Sequence, residues 1–250
     1  MKNFQAVILA AGTGERLKPD TETKPKTMLR VGRTTFIGLI IENIYKNELK
    51  DILIVGGHQF SVLKRYVLSL KKKFKDINFT FVENKKYKEY NNCYTLFTAL
   101  PHIKKDFIIF NSDIIFDSDI LKKVLMHDEN CIVVDNVKTL GEEEMKVLLK
   151  DGYVSSLSKK NRIEDSVGEY IGITMVKFDS IKAMMKHYDT FDFLAKGKYY
   201  EDLIVDISKD GVFFRPVYTD GLLWTEVDTF EDLSYAREVI YKNLKKRNKK

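Results

Sequence analysis

Cysteine is scarce in this chain: among 250 residues there are two, Cys93 and Cys131, with no Cys-x-x-Cys spacing. That excludes a disulfide scaffold and argues against a zinc ribbon or a dithiol redox motif, leaving two reduced, packed thiols. With 4 Pro and 13 Gly there is little room for a long low-complexity or disordered segment. No apolar run approaches the ~18 residues of a membrane span, and Lys2 with a short apolar stretch behind it does not make a signal peptide. The expectation is a cytoplasmic protein without stable membrane insertion. Several catalytic signatures are also missing: there is no Gly-x-Ser-x-Gly elbow and no His-Glu-x-x-His, and none of the 4 His stands at a metal-ligand spacing.

An excess of charge is missing from the body as well. The formal net charge is +6, but Lys242, Lys245, Lys246, Arg247, Lys249 and Lys250 supply six positive charges close to the C-terminus with no acid among them, so the residues before 242 sum to about zero. This removes most of the case for nucleic acid as a partner. The tail could touch RNA or an anionic surface, but a solvated helix end is the simpler account. What is present is a globular composition, 44% hydrophobic and 31% charged, long enough for one large domain.

The most informative stretch lies near the start. Val7, Ile8 and Leu9 form a continuous apolar run, too short for a helix, which reads as a strand buried on both faces. Gly12 and Gly14 follow at once, where a tight turn can aim backbone N–H groups at phosphate oxygens. It is not a P-loop, and a dinucleotide fingerprint would need a third glycine where this chain has Arg16. Gly-x-Gly alone fits an ordinary tight turn equally well. Arg16 and Lys26, the latter in Lys24-Pro25-Lys26, add fixed positive charge and favour phosphate.

Downstream, apolar spacing predicts helices over 34–49, 61–74, 94–100, 118–126, 179–188, 199–210 and 230–244. Strands are predicted at 52–55, 78–82, 107–110 and 131–135, then in shorter segments at 146–149, 154–157, 170–177, 212–218 and 222–227. The opening βαβαβ alternation implies a mainly parallel sheet with helices on both faces, and the turn at Asp151-Gly152 adds a small antiparallel element in the second half. The fold class is therefore α/β: a Rossmann-like, mixed, mainly parallel sheet flanked by helices. Ligands in such sheets bind beyond the carboxyl ends of the strands. Asp113 stands at such an end, with turn capping as the lesser alternative. Glu226 and Asp228, two apart, leave one face of an extended segment and would repel without a cation between them. A rival role for Asp228 is to cap the helix that follows, but Thr229 with Asp232 could do that instead. Mg²⁺ is commonly bound by one or two carboxylates together with substrate phosphates, so the set suits phosphoryl or nucleotidyl transfer.

These residues resemble a known family. The run Leu9 to Leu17, followed by Lys24-Pro25-Lys26-Thr27-Met28-Leu29, is similar to the signature of nucleotidyltransferases that join an NTP to a phosphorylated small molecule. Tyr87 to Leu96, with Tyr90-Asn91-Asn92, resembles a segment of bacterial CTP:phosphocholine cytidylyltransferases. Ser112-Asp113-Ile114, Gly168 to Gly172 and Trp224 to Asp228 resemble segments of that group and of the 2-aminoethylphosphonate cytidylyltransferases. The resemblance implies that Leu9, Ala10, Ala11, Gly12, Thr13 and Gly14 hold the nucleotide, with Asn92 and Thr95 near cytosine and ribose. It implies catalytic roles for Arg16 at the β- and γ-phosphates and Lys26 at the α-phosphate, and Mg²⁺ on Asp113, Glu226 and Asp228. It places Glu169, Tyr170 and Trp224 at the acceptor. A single domain would then comprise a nucleotide-binding half over about 1–135, an acceptor-binding half over about 136–240 and a basic tail over 241–250. The implied partners are CTP and a small phosphorylated alcohol, amine or amide, with a homodimer left open. The implied setting is synthesis of cell-surface polysaccharide or lipid precursors. A sugar-1-phosphate nucleotidylyltransferase and a non-catalytic nucleotide-binding protein are the rival readings.

Overall fold

The structure, a computed structural model, describes residues 3–190 and 199–247. The first strand, β1 (Gln5–Ala10), is buried along its whole length. Ala6, Ile8 and Ala10 face one hydrophobic core, while Val7 and Leu9 face another. That is the two-residue period of a strand covered on both sides. After β1 come a short hairpin, β2 (Arg30–Val31) and β3 (Thr34–Thr35), then α1 (Phe36–Lys46), β4 (Asp51–Gly56), α2 (Phe60–Leu70), β5 (Asn78–Glu83) and α3 (Asn92–Ala99). The chain continues through β6 (Phe107–Asn111), β7 (Ile114–Phe116), α4 (Ser118–Leu125), β8 (Cys131–Asp135), β9 (Lys146–Lys150), β10 (Tyr153–Ser158) and β11 (Glu169–Val176). It closes with α5 (Ile181–Lys186), α6 (Tyr200–Lys209), β12 (Arg215–Tyr218), β13 (Trp224–Glu226), α7 (Phe230–Tyr235) and α8 (Tyr241–Arg247).

Strands β5, β4, β1 and β6 lie side by side and parallel. The second half joins this same sheet, because β11 pairs antiparallel with β6 and with β8, and β12 runs parallel to β8. The sheet is mixed, mainly parallel in its first half, with the antiparallel pair β9–β10 at one margin. One core is filled from α1, α2 and α4, the other from α3 and α6. Cys93 and Cys131 are both buried and free. Among the described residues no helix is long and apolar enough to cross a membrane.

Two features differ from the sequence expectation. The segment expected as a strand over 222–227 is shorter and leaves the main sheet: β13 pairs antiparallel with β7, which the sequence did not reveal. Three apolar residues after a polar turn are too few for a periodic signal, and β7 is held by its neighbours. Asn43, buried in α1, donates to the Phe116 carbonyl at 2.7 Å, and the Asp117 N–H donates to the Leu223 carbonyl at 2.8 Å. The second difference is the basic tail. Through residue 247 it is helical and docked, with Lys245 3.7 Å from Glu42 and Arg247 3.3 Å from both Asp117 and Asp119. Residues 248–250 lie outside the described residues.

Candidate active site

Leu9 of β1 is paired with Asn111 of β6, so the loops leaving these two strands are neighbours at the carboxyl edge of the sheet. The β1 loop turns through Gly14 at φ +67°, and a Cβ there would stand 3.0 Å from Lys26 Cβ and from Thr21 Cγ2. Glycine is required both for the left-handed backbone and for that close approach. Thr21 donates to the Gly14 carbonyl at 2.8 Å and fixes the return of the chain toward Lys26. On the β6 side, the turn Ser112-Asp113 leads into β7. Glu226 pairs with Ile114, and the Val227 N–H donates to the Asp113 carbonyl at 3.0 Å. The β7–β13 pair thus fastens Asp113 to the segment carrying Glu226 and Asp228.

The result is a charged cluster at the mouth of a cleft of about 1010 Å³. The Lys26 ammonium lies 2.9 Å from Asp113 and 2.6 Å from Asp228, and the Arg16 guanidinium is 2.7 Å from the other Asp228 oxygen. Burial alone would lower the Lys26 pKa, but the two carboxylates reverse this and hold it above its ordinary value. Burial likewise acts to raise Asp228, yet Lys26 and Arg16 keep its carboxyl below the usual range. Glu226 goes the other way: the enclosing cleft wall, then Asp113 and Asp228, push it well up. Helix capping does not consume Asp228. Thr229 and Asp232 form the capping box of α7, and Asp232 also accepts from the Asp228 N–H at 2.9 Å.

Oxygen atoms of Asp113, Glu226 and Asp228 lie within 4.8 Å of one another. Asp113 Oδ1 is buried with no hydrogen-bond partner. An all-oxygen donor set, an orphaned carboxylate oxygen and a mutual repulsion expressed in Glu226 are what a hard divalent cation would relieve, so these residues fit Mg²⁺.

Of the residues expected at the nucleotide, Leu9, Ala10, Gly12 and Asn92 line the cleft together with Arg16 and Lys26. Ala11 is buried and its carbonyl accepts from the His58 N–H at 3.3 Å. Thr13 and Gly14 belong to the loop but are not among the residues lining the cleft. Thr95 is buried in α3, and its hydroxyl accepts from the Asn84 amide at 3.0 Å. Asn84, wholly buried at the end of β5, was not anticipated; its other contacts are the Gly56 carbonyl and the Lys86 N–H, at 2.8 and 2.9 Å.

The residues expected at the acceptor, Glu169, Tyr170 and Trp224, line the same cleft. Trp224 donates to Asp135 at 2.5 Å, and the Lys138 ammonium stands 5.7 Å from a Trp224 ring centroid. Lys138 also pairs with Glu169 at 2.8 Å and Glu144 at 3.2 Å. The Tyr170 hydroxyl is buried, 2.6 Å from both the Thr174 and the Tyr200 hydroxyls. The sequence reading missed Glu201, a buried residue of α6 that also lines it. With Asp202 beside it, Glu201 is one of two acids in the first turn of α6, which looks like ordinary dipole pairing.

A phosphate-shaped glycine loop, two cations and a carboxylate triad at the carboxyl edge of a Rossmann-like sheet define a nucleotide-handling α/β protein. The nucleotidyl transferase family model matches residues 5–144, more than half of the chain, and the protein belongs to that family. Over 259 residues it is 29% identical to the CTP:phosphoglutamine cytidylyltransferase of Campylobacter jejuni, covering 94% of this chain and 100% of the relative. Over 113 residues it is 34% identical to the choline-phosphate cytidylyltransferase of Streptococcus pneumoniae, covering 45% of this chain and 46% of that one. In structure it is similar to the inositol-1-phosphate CTP transferase from T. maritima, with a TM-score of 0.78 at 20% identity over 96% of this chain and 98% of that one.

Proposed function

We propose that the protein is a Mg²⁺-dependent cytidylyltransferase that moves CMP from CTP to a small phosphorylated acceptor and releases pyrophosphate. The observation that carries this reading is the Lys26 ammonium held between Asp113 and Asp228 at the edge of the glycine loop. It is supported by the cytidylyltransferases among the relatives, one of them matched over its whole length. An acceptor phosphate oxygen forms a bond to the α-phosphorus while the bond from that phosphorus to the bridging oxygen of the pyrophosphate breaks. A phosphomonoester is largely dianionic at neutral pH, its second pKa being about 6, so no general base is needed. Positioning and charge neutralisation carry the catalysis.

Backbone groups of the loop from Leu9 to Gly14 seat the triphosphate, with Asn92 on the nucleoside side. Arg16, anchored by Asp228, meets the departing phosphates. Lys26 neutralises charge at the α-phosphate. Asp113, Glu226 and Asp228 would hold the Mg²⁺, which supplies Lewis-acid neutralisation of the phosphates. Glu169, Tyr170 and Trp224 form the wall against which the acceptor lies.

The test is pyrophosphate release by the purified protein with Mg²⁺, each of the four common NTPs and a panel of phosphorylated alcohols, amines, amides and sugar 1-phosphates. Release that requires CTP and a non-sugar phosphorylated acceptor is expected. Turnover confined to UTP or another NTP with a sugar 1-phosphate would overturn the reading in favour of a sugar nucleotidylyltransferase. Nucleotide-dependent thermal stabilisation with no product from any pair would mark a binding protein.

A further inference from the structure

Neither the glycine loop nor the carboxylate triad uses Glu201. It lies in the first turn of α6, is 5% exposed and lines the cleft. The Asn92 side chain stands beside its carboxylate, yet Oε2 is buried and has no partner. A buried carboxylate oxygen left without a donor is destabilising, and no neighbouring group donates to this one. The Asn92 carbonyl oxygen accepts from the Tyr200 N–H at 3.0 Å. The Tyr200 and Tyr170 hydroxyls engage each other, Tyr200 also donates to Asn111 at 3.0 Å, and Tyr170 also meets Thr174. The same bonds tie the start of α6 to the starts of α3 and β11 and the end of β6, so Glu201 is held in a fixed pose. Among the described residues no lysine or arginine is paired with it.

We propose that Glu201 reads the head of the acceptor: its free oxygen receives an N–H or O–H of that molecule. The enzyme thereby selects an acceptor carrying a primary ammonium, amide or hydroxyl over one carrying a quaternary ammonium, which has no hydrogen to donate. The inference rests on the cytidylyl-transfer reading and narrows its substrate class. Asn92, on the nucleoside side, stands by the same carboxylate, but Oε2 is left free, and the acceptor is favoured over the cytosine amino group because Glu201 also neighbours Tyr170 of β11, a residue assigned to the acceptor. A carboxylate also gives a charge-assisted bond to a donor, stronger than one between neutral groups.

The experiment is steady-state pyrophosphate release with CTP and Mg²⁺, using phosphoethanolamine, glycerol 3-phosphate and the trimethylated counterpart phosphocholine. Wild type, Glu201→Gln and Glu201→Ala are compared, with CTP-dependent thermal shift as a check on folding and nucleotide binding. Wild type should favour the two donor-bearing acceptors over phosphocholine by about tenfold or more in kcat/KM. Glu201→Ala should bring that ratio near one, chiefly by raising the KM of the donor-bearing acceptors, with the KM for CTP within about twofold of wild type. Glu201→Gln, which keeps the shape but loses the charge, should fall between them, and it decides the matter if the alanine variant does not fold. Equal use of phosphocholine by wild type, a ratio unchanged in both variants, or an effect confined to the KM for CTP would overturn the proposal. Absence of pyrophosphate from CTP with every acceptor would instead sink the transfer reading itself, and this proposal with it.

Discussion

Lys26 is the residue on which the two halves of the site converge. It neutralises two carboxylates of the cleft, Asp113 and Asp228, and its stem lies close against Gly14 of the loop. In the proposed mechanism its charge counts most in the transition state, so Lys26→Ala should lower kcat by about 10²-fold or more. The melting temperature should move by only a few degrees (about 2–4 °C for each kcal/mol lost). Near wild-type pyrophosphate release from a folded Lys26→Ala protein would remove Lys26 from the mechanism. Glu201 makes a separate prediction, on stability. Burial pushes its carboxyl up to about 7 from an ordinary 4.5, so between those values the folded state holds the proton more tightly than the unfolded state. Its contribution is complete below pH 4.5 and is lost as pH rises to about 7. Glutamine does not titrate, so the Tm of Glu201→Gln minus that of wild type should grow by a few degrees between pH 5 and pH 8. A difference independent of pH would show that Glu201 is not buried as described. At this scale the sequence was legible where spacing carries geometry. Glu226 and Asp228, two apart, do point into one cluster, and Asp113 does stand at a strand end. It was not legible where a side chain's role depends on partners far away in the chain. Thr95 is turned inward by Asn84, and Glu201 is an orphan only because Tyr170, Tyr200 and Asn92 are already engaged.

The element that sets the geometry of the carboxylate triad is the two-stranded β7–β13 pair together with the start of α7. Asp228 occupies the last position before the cap, and the Asp232 carboxylate receives both the Asp228 and the Thr229 N–H groups, at 2.9 and 2.8 Å. Loss of such a cap is typically worth about 1 kcal/mol, so Asp232→Ala should lower the Tm by about 2–4 °C. Because the same bonds aim Asp228, the Mg²⁺ concentration needed for half-maximal activity should rise several-fold in that variant. A Tm loss with an unchanged Mg²⁺ titration would mean that the cap supports the fold alone. The sequence offered Asp228 and the Thr229/Asp232 pair as competing caps, and the structure assigns the cap to the pair. The strand β7 had no such signature. It exists because Asn43, Leu223 and β13 satisfy its backbone, and no window of three residues can encode partners that lie roughly 70 to 110 positions away.

Across the whole molecule, the C-terminal helices close a third hydrophobic cluster that underlies the catalytic loops. Leu17 and Leu29, flanking Arg16 and Lys26, share it with Ile115 behind Asp113, Val227 between Glu226 and Asp228, and Ile240 and Leu244 from the chain's end. The Tyr241 ring lies against Gly32 in the β2–β3 turn, where an added Cβ would come within 2.0 Å of it, so only glycine at φ +59° admits the helix. A reading from charge alone makes residues 241–247 a solvated basic extension, whereas packing makes them part of the support for the site. The two accounts predict different variants to be harmful. Tyr241→Ala with Leu244→Ala removes buried apolar surface worth about 1.5–3 kcal/mol for each such side chain fully buried. It should lower the Tm by roughly 5–10 °C and reduce kcat/KM through the loosened Arg16 and Lys26 loops. Replacing Lys242, Lys245 and Arg247 together by alanine removes ion pairs whose basic ends are about half exposed, each worth about 0–1 kcal/mol, and should lower the Tm by no more than a few degrees with activity retained. If the charge variant proves the more damaging of the two, the tail serves the molecule through its charge and the packing account of the third cluster fails.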